Sequence, residues 1–301
     1  MFPALFARTA IFVALAGFGV TYLGILISSL HAPRGPGEPP PSPSASHLIT
    51  GFITNFFDTL GIGSFATSTA IFKFRKMLPD ELYPGTLNVG HTLPTIFQAF
   101  IYISVIAVDP ATLVLLIGSS VVGAWFGAGL VANFSRRTVQ LGMGAALLTA
   151  ATAMLMSQLK WFPVGGTALE LHGWRLLIGI VGNLVLGAIM TLGIGLYAPC
   201  MALISLLGMD PAAAFPIMMG SCAFLMPVAS ARFIKRRAYS APVALGLAIG
   251  GLLGVPLAAF VVKSLPLTAL RWLVIVVVVY AAVLMLRSAQ QETLARPAAA
   301  A

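Results

Sequence analysis

Two short glycine motifs place flexible backbone beside polar side chains in otherwise apolar sequence. The pentapeptide Thr-Leu-Gly-Ile-Gly occupies residues 59–63 and again residues 191–195, an offset of 132 (191 − 59). Glycine permits backbone conformations that a side chain forbids. A helix that breaks and restarts at such a motif presents free N–H groups and a partial positive charge, which suits a small anion. The two motifs therefore predict a pair of helix breaks that line a binding site; the alternative is close helix packing by small residues.

Polar side chains cluster around both motifs. Ionisable groups at membrane depth are costly and usually functional, so Asp58 and His91 are candidates for coupling to a proton. Asp58 aligns with Met190 in the second copy; the alternatives are that Asp58 caps the restarting helix and that His91 is a hydrogen-bonded core residue near the interface. Hydroxyls can also bond their own helix. The candidate substrate-binding residues are Gly61, Gly63, Ser64, Thr67, Asn88, Gly193, Gly195, Tyr197 and Ser221.

The composition predicts an integral membrane protein. Hydrophobic residues make up 59% of the chain and charged residues 8%, with a mean hydropathy of +0.98, whereas soluble domains carry about 25% charged residues. The net charge of +9 would suggest nucleic acid for a soluble chain. Here the Lys and Arg residues lie mostly in short loops, as orientation signals do. We expect a small anionic substrate and membrane lipid as partners, and no nucleic acid; a homo-oligomer is an open option.

The glycine offset divides the chain into two related halves. We predict an all-α polytopic membrane protein in which each half has a glycine-broken, re-entrant segment followed by three transmembrane helices. An extra, uncleaved N-terminal helix precedes them, because its apolar core is longer than that of a signal peptide. The predicted units are the extra helix 1–30, a Pro/Gly/Ser-rich linker 31–46, a first repeat 47–158, a connecting loop 159–173, a second repeat 174–287 and a polar tail 288–301.

Loop charges predict how the broken segments cross the membrane. If each is a hairpin without net crossing, the two halves are inverted, and twelve of the seventeen Lys and Arg residues lie on one face and five on the other. If each crosses once, the division is eight against nine. Since cytoplasmic loops are enriched in Lys and Arg, the hairpins and inverted repeats are favoured. The C-terminus is then cytoplasmic.

These motifs resemble the sulfite exporter TauE/SafE family of permeases. The second half carries Gly193-Ile-Gly-Leu-Tyr-Ala-Pro199 and then Pro211-Ala-Ala-Ala-Phe-Pro-Ile-Met-Met-Gly-Ser221. The first half departs from this pattern, with Gly61-Ile-Gly-Ser-Phe-Ala-Thr67 and no proline. The resemblance covers about residues 47–287 and leaves the first helix outside. It implies small anions as substrates, chiefly sulfite, sulfonates and related organic acids.

The expectation is therefore an inner-membrane secondary transporter that works by alternating access. No phosphate-binding loop is present, and we expect no cofactor, no metal site, no catalytic residue and no enzymatic activity. Cys200 and Cys222 lack metal-site spacing. The alternatives are an anion channel or a membrane subunit without transport, and a membrane-embedded hydrolase. A hydrolase could pair Ser64 with His91, but no G-x-S-x-G motif surrounds Ser64.

Overall fold

The structure, a computed structural model, describes residues 2–32, 40–161, 165–193, 195–261 and 267–298. Most of these residues are α-helical. The helices are α1 (Phe2–His31), α2 (Ala45–Thr59), α3 (Ser64–Arg75), α4 (Tyr83–Val105), α5 (Pro110–Val131), α6 (Arg136–Gln158), α7 (Gly173–Met190), α8 (Tyr197–Leu206), α9 (Ala214–Lys235), α10 (Ala241–Pro256) and α11 (Leu267–Ala298). Short 3₁₀ turns precede α4 and α9, and a π-helical turn, Leu257–Val261, follows α10.

Seven of the described helices are long and apolar enough to cross a membrane: α1, α5, α6, α7, α9, α10 and α11. The shortest of these apolar spans, α7, has 18 residues, since the α10 span continues through its π-helical turn to Phe260. α7 rises about 27 Å, close to the hydrocarbon thickness of about 30 Å. The chain is an integral membrane protein, in agreement with the predicted all-α polytopic class. α11 extends through most of the predicted polar tail, where Ala, Gln and Glu are good helix formers.

α4 has the length of a membrane span but is shielded by protein. Its 23 residues include five polar residues that are completely buried, and it is not among the seven apolar helices. α9 and α10 pack along it. The sequence predicted a span near 86–108; the helix begins and ends three residues earlier, and neighbouring helices supply polar partners that lipid lacks. The completely buried polar residues are Thr86, Asn88, His91, Thr92 and Gln98.

α2 and α10 run parallel in close contact. His47 lies against Gly246, and further along both helices Phe52 lies against Gly254. A Cβ added to Gly51 would lie only 2.5 Å from the Gly246 carbonyl oxygen. Glycine is therefore required at this contact because the two backbones approach too closely for a side chain.

α5 and α7 form a second parallel pair of the same kind. Leu116 lies against Gly179, and further along both helices Gly127 lies against Ala188. Adding 132 to residues 45–58 of α2 gives residues 177–190 of α7, and adding 132 to residues 110–124 of α5 gives residues 242–256 of α10. The two pairs are thus exchanged by the offset that relates the glycine motifs.

α4 and α9, which the same offset also relates, run antiparallel. Near one end the rings of Tyr102 and Phe215 stack with centroids 5.4 Å apart. Towards the other end the hydroxyls of Thr92 and Ser230 lie 3.2 Å apart. The residue numbers rise along α4 as they fall along α9, so these equivalent helices point in opposite directions.

One face of the helix bundle gathers most of the described basic residues and is called the basic face below. The Asp80 carboxylate joins Lys73 at 2.7 Å and Gln140 at 2.8 Å, and Arg236 donates to Asn133. The start of α2 lies at this face too, beside the 77–82 loop. The basic residues here are Lys73, Arg75, Lys76, Arg136, Arg137, Arg232, Lys235, Arg236 and Arg237.

The opposite face is built by three loops. The backbone N–H of Asp109 donates to the Leu169 carbonyl at 3.0 Å, and that of Asp210 donates to Ala168 at 2.9 Å. α7 begins here, and the turn after α8 returns here. Each broken segment therefore returns to the face from which it started, and the two segments start from opposite faces. Among the described residues the basic side chains of this face are Arg8, Lys160 and Arg175.

Candidate functional site

The first break separates α2 from α3 at two glycines with left-handed backbone. Between Thr59, which ends α2, and Ser64, which begins α3, Gly61 has φ +87° and Gly63 has φ +91°. Residues with a Cβ avoid such angles. A Cβ added to either glycine would meet no atom within 4 Å. Both glycines serve the backbone turn, and open space lies beside them.

The second break separates α7 from α8. Gly193 has φ +112°, and a Cβ there would lie 2.8 Å from the Met143 Cε. A Cβ added to Gly195 would meet no described atom within 4 Å. The side chain of Tyr197, a predicted binding residue, lies outside the described part of the chain.

Open space distinguishes three of the four break glycines, Gly61, Gly63 and Gly195, from the glycines that join helices. At Gly187, in the α5–α7 contact, a Cβ would overlap the Ser120 carbonyl oxygen. Close packing therefore explains Gly187 but does not explain Gly61, Gly63 or Gly195. That the breaks line a cavity stays a prediction.

Asp58 contacts the start of α3. Its side chain is 3% exposed. The carboxylate accepts a hydrogen bond from the Gln98 amide at 3.1 Å, and both the backbone N–H and the hydroxyl of Ser64 also donate to it. Because Ser64 is the first residue of α3, Asp58 satisfies a free N–H of the restarting helix and opposes its positive end. Asp58 is thus in capping geometry, whether or not it also carries a proton.

His91 is completely buried, and both of its ring nitrogens are engaged. Nε2 lies 2.9 Å from the Ser68 hydroxyl, and Nδ1 lies 3.0 Å from the Asn55 amide oxygen. The Asn55 amide nitrogen donates to the Gly51 carbonyl at 2.8 Å. Since an amide oxygen only accepts, the proton of neutral His91 is on Nδ1, and Nε2 accepts from Ser68. The chain of hydrogen bonds joins α2, α3 and α4 in the protein core, away from the interface.

Ser68, His91 and Asn55 have the connectivity of a serine hydrolase triad but lack its surroundings. Ser68 is completely buried and lies inside α3, where backbone N–H groups are used by the helix itself. An acyl-transfer site needs free donors beside the nucleophile to stabilise an oxyanion. The Ser64–His91 pairing considered from the sequence is not formed, because Ser64 bonds Asp58 and His91 bonds Ser68.

α4 connects the two breaks. Gln98 donates to the Thr59 hydroxyl at 2.9 Å, and Tyr102 donates to the Thr59 carbonyl at 2.6 Å. About three turns earlier along the helix, Asn88 donates to the carbonyl of Thr191 at 3.3 Å, at the second break. The Asn88 Oδ1 and Gln98 Oε1 atoms are buried without a hydrogen-bond partner among the described atoms. Such an acceptor is costly inside a protein, so both oxygens mark positions where a donor group would be stabilised.

The second half contributes fewer strong hydrogen-bonding groups. Asn183 donates to the Ser221 hydroxyl at 2.9 Å and to the Leu116 carbonyl at 2.6 Å. The Cys222 sulfur lies 3.6 Å from the Met190 sulfur. Ser221, a predicted binding residue, is therefore held by Asn183, on the side of α7 that faces α5 and α9.

The predicted binding residues thus fall into two groups. Gly61, Gly63 and Gly195 adjoin open space, whereas the hydroxyls have partners: Thr67, for example, donates to the Gly63 carbonyl at 2.9 Å. Gln98 and Asn183 were not among the predicted binding residues. The signal that could have indicated them is the one that indicated Asn88, an amide in an apolar helix.

An ion pair holds the turn between α3 and α4 at the basic face. Burial by itself would raise the pKa of the Asp80 carboxyl, but hydrogen bonds from Lys73 and Gln140, together with the Lys73 charge, hold that pKa below its usual value. The two side chains of the Lys73–Asp80 pair are 14% and 6% exposed. The pair ties the end of α3 to the following turn, and the hydrogen bond from Gln140 ties that turn to α6.

Within the described residues no group of three or more His, Cys, Asp or Glu side chains is arranged to hold a metal ion.

Comparisons of the chain with protein-family models, with curated proteins and with solved structures found no match. The resemblance to the TauE/SafE family therefore stays a prediction from the motifs.

Proposed function

We propose that this protein is a secondary transporter for a small anion. The observation that carries the proposal is that one buried polar helix, α4, hydrogen-bonds both glycine breaks, and open space lies beside three of the break glycines. In membrane proteins, non-helical backbone at membrane depth is found where it is buried in protein or lines a cavity. Transporters build their substrate sites from pairs of such discontinuous helices.

The proposal includes two inverted repeats, 47–158 and 174–287. It is supported by the antiparallel arrangement of α4 and α9, by the parallel pairs that the 132-residue offset exchanges, and by hairpins that start from opposite faces. Alternating access would then move one set of helices against the other around the two breaks. By the distribution of Lys and Arg, the basic face is cytoplasmic, as is the C-terminus, and the membrane is the cell's inner membrane.

The anion would bind closer to α8 than to α3. At the first break the Asp58 carboxylate already occupies the positive end of α3, and a second anion beside it would be repelled. The position equivalent to Asp58 is Met190, which carries no charge. The N-terminus of α8 is therefore the better anion site. The TauE/SafE resemblance makes sulfite, a sulfonate or a related organic acid the proposed substrate.

Counterflow in proteoliposomes tests the proposal. Vesicles loaded with sulfite, a sulfonate, sulfate or a carboxylate should accumulate the same labelled anion, with a saturable initial rate. Protein-free vesicles give the background. Accumulation with none of the anions would contradict anion transport, and a voltage-dependent single-channel current without saturation would indicate a channel.

A further inference from the structure

A cleft of about 640 Å³ opens at the basic face, remote from both breaks. The end of α1, the start of α2, the 77–82 loop and the α9–α10 turn surround it. The cleft thus lies where the apolar helices end, and lipid headgroups lie against a membrane protein at this level. Its apolar walls include Leu30, Met77, Leu82 and Val243.

The polar side of the cleft is positively charged. Lys235 and Arg237 line it, and no described Asp or Glu does. The two acidic residues of the 77–82 loop form ion pairs with other cations: Asp80 pairs with Lys73, and Glu81 lies 3.7 Å from Arg136. The described charges in the cleft wall are therefore positive, which suits an anion.

Hydroxyl groups lie beside these cations. The hydroxyls of Ser29 and Tyr239, both in the cleft wall, lie 3.0 Å apart. The Ser29 hydroxyl donates to the Leu26 carbonyl at 2.7 Å, so the Tyr239 hydroxyl is the group that can donate to a phosphate oxygen. The His47 ring is less available, because its Nδ1 accepts from the Ser44 backbone N–H at 3.2 Å.

We propose that this cleft binds an anionic phospholipid, with the phosphate at Lys235 and Arg237 and an acyl chain along the apolar wall. A free phosphate would gain nothing from the apolar wall, and an uncharged lipid would gain nothing from the two cations. Basic pockets between helix ends bind anionic headgroups in this way. The proposal does not depend on the transport proposal, since the cleft shares no residue with the breaks.

Native mass spectrometry of the full chain tests the proposal. Protein stripped of lipid in a mild detergent is titrated with phosphatidylglycerol and, separately, with phosphatidylcholine of the same chain length. The wild-type protein should bind one phosphatidylglycerol in preference to phosphatidylcholine. The double variant Lys235→Gln/Arg237→Gln should weaken phosphatidylglycerol binding about tenfold. Unchanged preference in that variant would overturn the proposal.

A matched control removes the same charge elsewhere. Arg75→Gln/Lys76→Gln lies on the basic face, and neither residue lines the cleft. This variant should bind phosphatidylglycerol as the wild-type protein does; an equal loss in both double variants would mean that the lipid responds to overall charge, and would overturn the site.

Two further measurements keep the test decisive. Met77→Trp fills the cleft without changing charge, so it should reduce lipid binding even if Lys235→Gln/Arg237→Gln does not fold; unchanged binding would overturn the proposal. Glycerol phosphate supplies the headgroup without chains. At the same concentration as the lipid, glycerol phosphate should not displace it. Displacement would mean that the cleft binds soluble phosphate and would overturn the proposal.

Discussion

Around the first break Asp58, Ser68 and His91 are buried and hydrogen-bonded, whereas the equivalent positions around the second break carry Met190, Cys200 and Ala223. Oxygen and nitrogen groups in one half are thus replaced by sulfur atoms and a methyl group in the other. That list of positions follows from the 132-residue offset alone (58 + 132 = 190, 68 + 132 = 200, 91 + 132 = 223).

This difference indicates that the two breaks have separate tasks. The first has its own carboxylate at the restarting helix and a network of hydrogen bonds that fixes α2, α3 and α4 together. The second has a comparable backbone break with no acid at the matching position. We expect the first break to provide coupling or rigidity, and the second to provide most of the attraction for the substrate.

The largest expected effect is in cysteine labelling, which shows the side of the membrane on which each loop lies. Single cysteines replace Arg75, Lys235 and Lys160 in a chain that lacks Cys200 and Cys222. A membrane-impermeant maleimide should label positions 75 and 235 only after cells are permeabilised, and position 160 without permeabilisation. Labelling of 75 and 235 from opposite sides would contradict the inverted arrangement.

Bulk at either break should abolish transport. Gly63→Leu and Gly195→Leu each place a side chain in the open space beside the break, and counterflow should fall at least a hundredfold. The yield of folded protein should also drop for Gly63→Leu, because Gly63 has positive φ. The drop reflects a left-handed strain of about 1–2 kcal/mol.

Gly118→Leu is the control for this pair, since Gly118 is an exposed glycine of α5 with no atom within 4 Å of an added Cβ. It should transport normally. Parallel loss of folded protein and of flux in both break variants would favour close packing as the role of these glycines.

Asp58→Asn separates coupling from capping. Asparagine caps helices well, so the fold and substrate exchange should persist. If Asp58 carries the coupling proton, uptake driven by a pH gradient should fall at least tenfold, because an amide cannot gain and release a proton. Exchange and gradient-driven uptake are measured on the same vesicles. Normal values of both would leave Asp58 as a cap only.

Asp80→Asn should have the smallest effect, confined to stability. At pH 7 the variant loses a charged hydrogen bond, which costs about 1.5–3 kcal/mol of unfolding free energy. Because the folded-state pKa of Asp80 is lowered, its contribution is fully present above the unfolded pKa of about 3.9 and is lost as the pH falls through the folded value. Thermal unfolding in detergent at pH 7 and below pH 4 should show the gap between variant and wild type closing.

The sequence was informative about the backbone and less so about side-chain partners. Gly61, Gly63 and Gly193 mark the breaks because positive φ depends on the residue itself. The partners of Asp58 and Asn88 could not be predicted, because Gln98 is 40 residues from Asp58, and Thr191 is 103 residues from Asn88. Hydropathy places a polar group at membrane depth, but only the packed helices decide whether it faces its own backbone, a neighbour or a cavity.

The close contact of α2 with α10 has a consequence for synthesis of the chain. Gly51 meets Gly246, which is made 195 residues later; at about 5–20 residues per second, this interval lasts about 10–40 s. During that time the first hairpin is in the membrane without the helix that packs against it. The second hairpin has no such delay, because α5 is complete before α7 is made. The nascent first hairpin is therefore the segment most exposed to premature degradation, and slowing of the ribosome between the two halves would prolong its exposure.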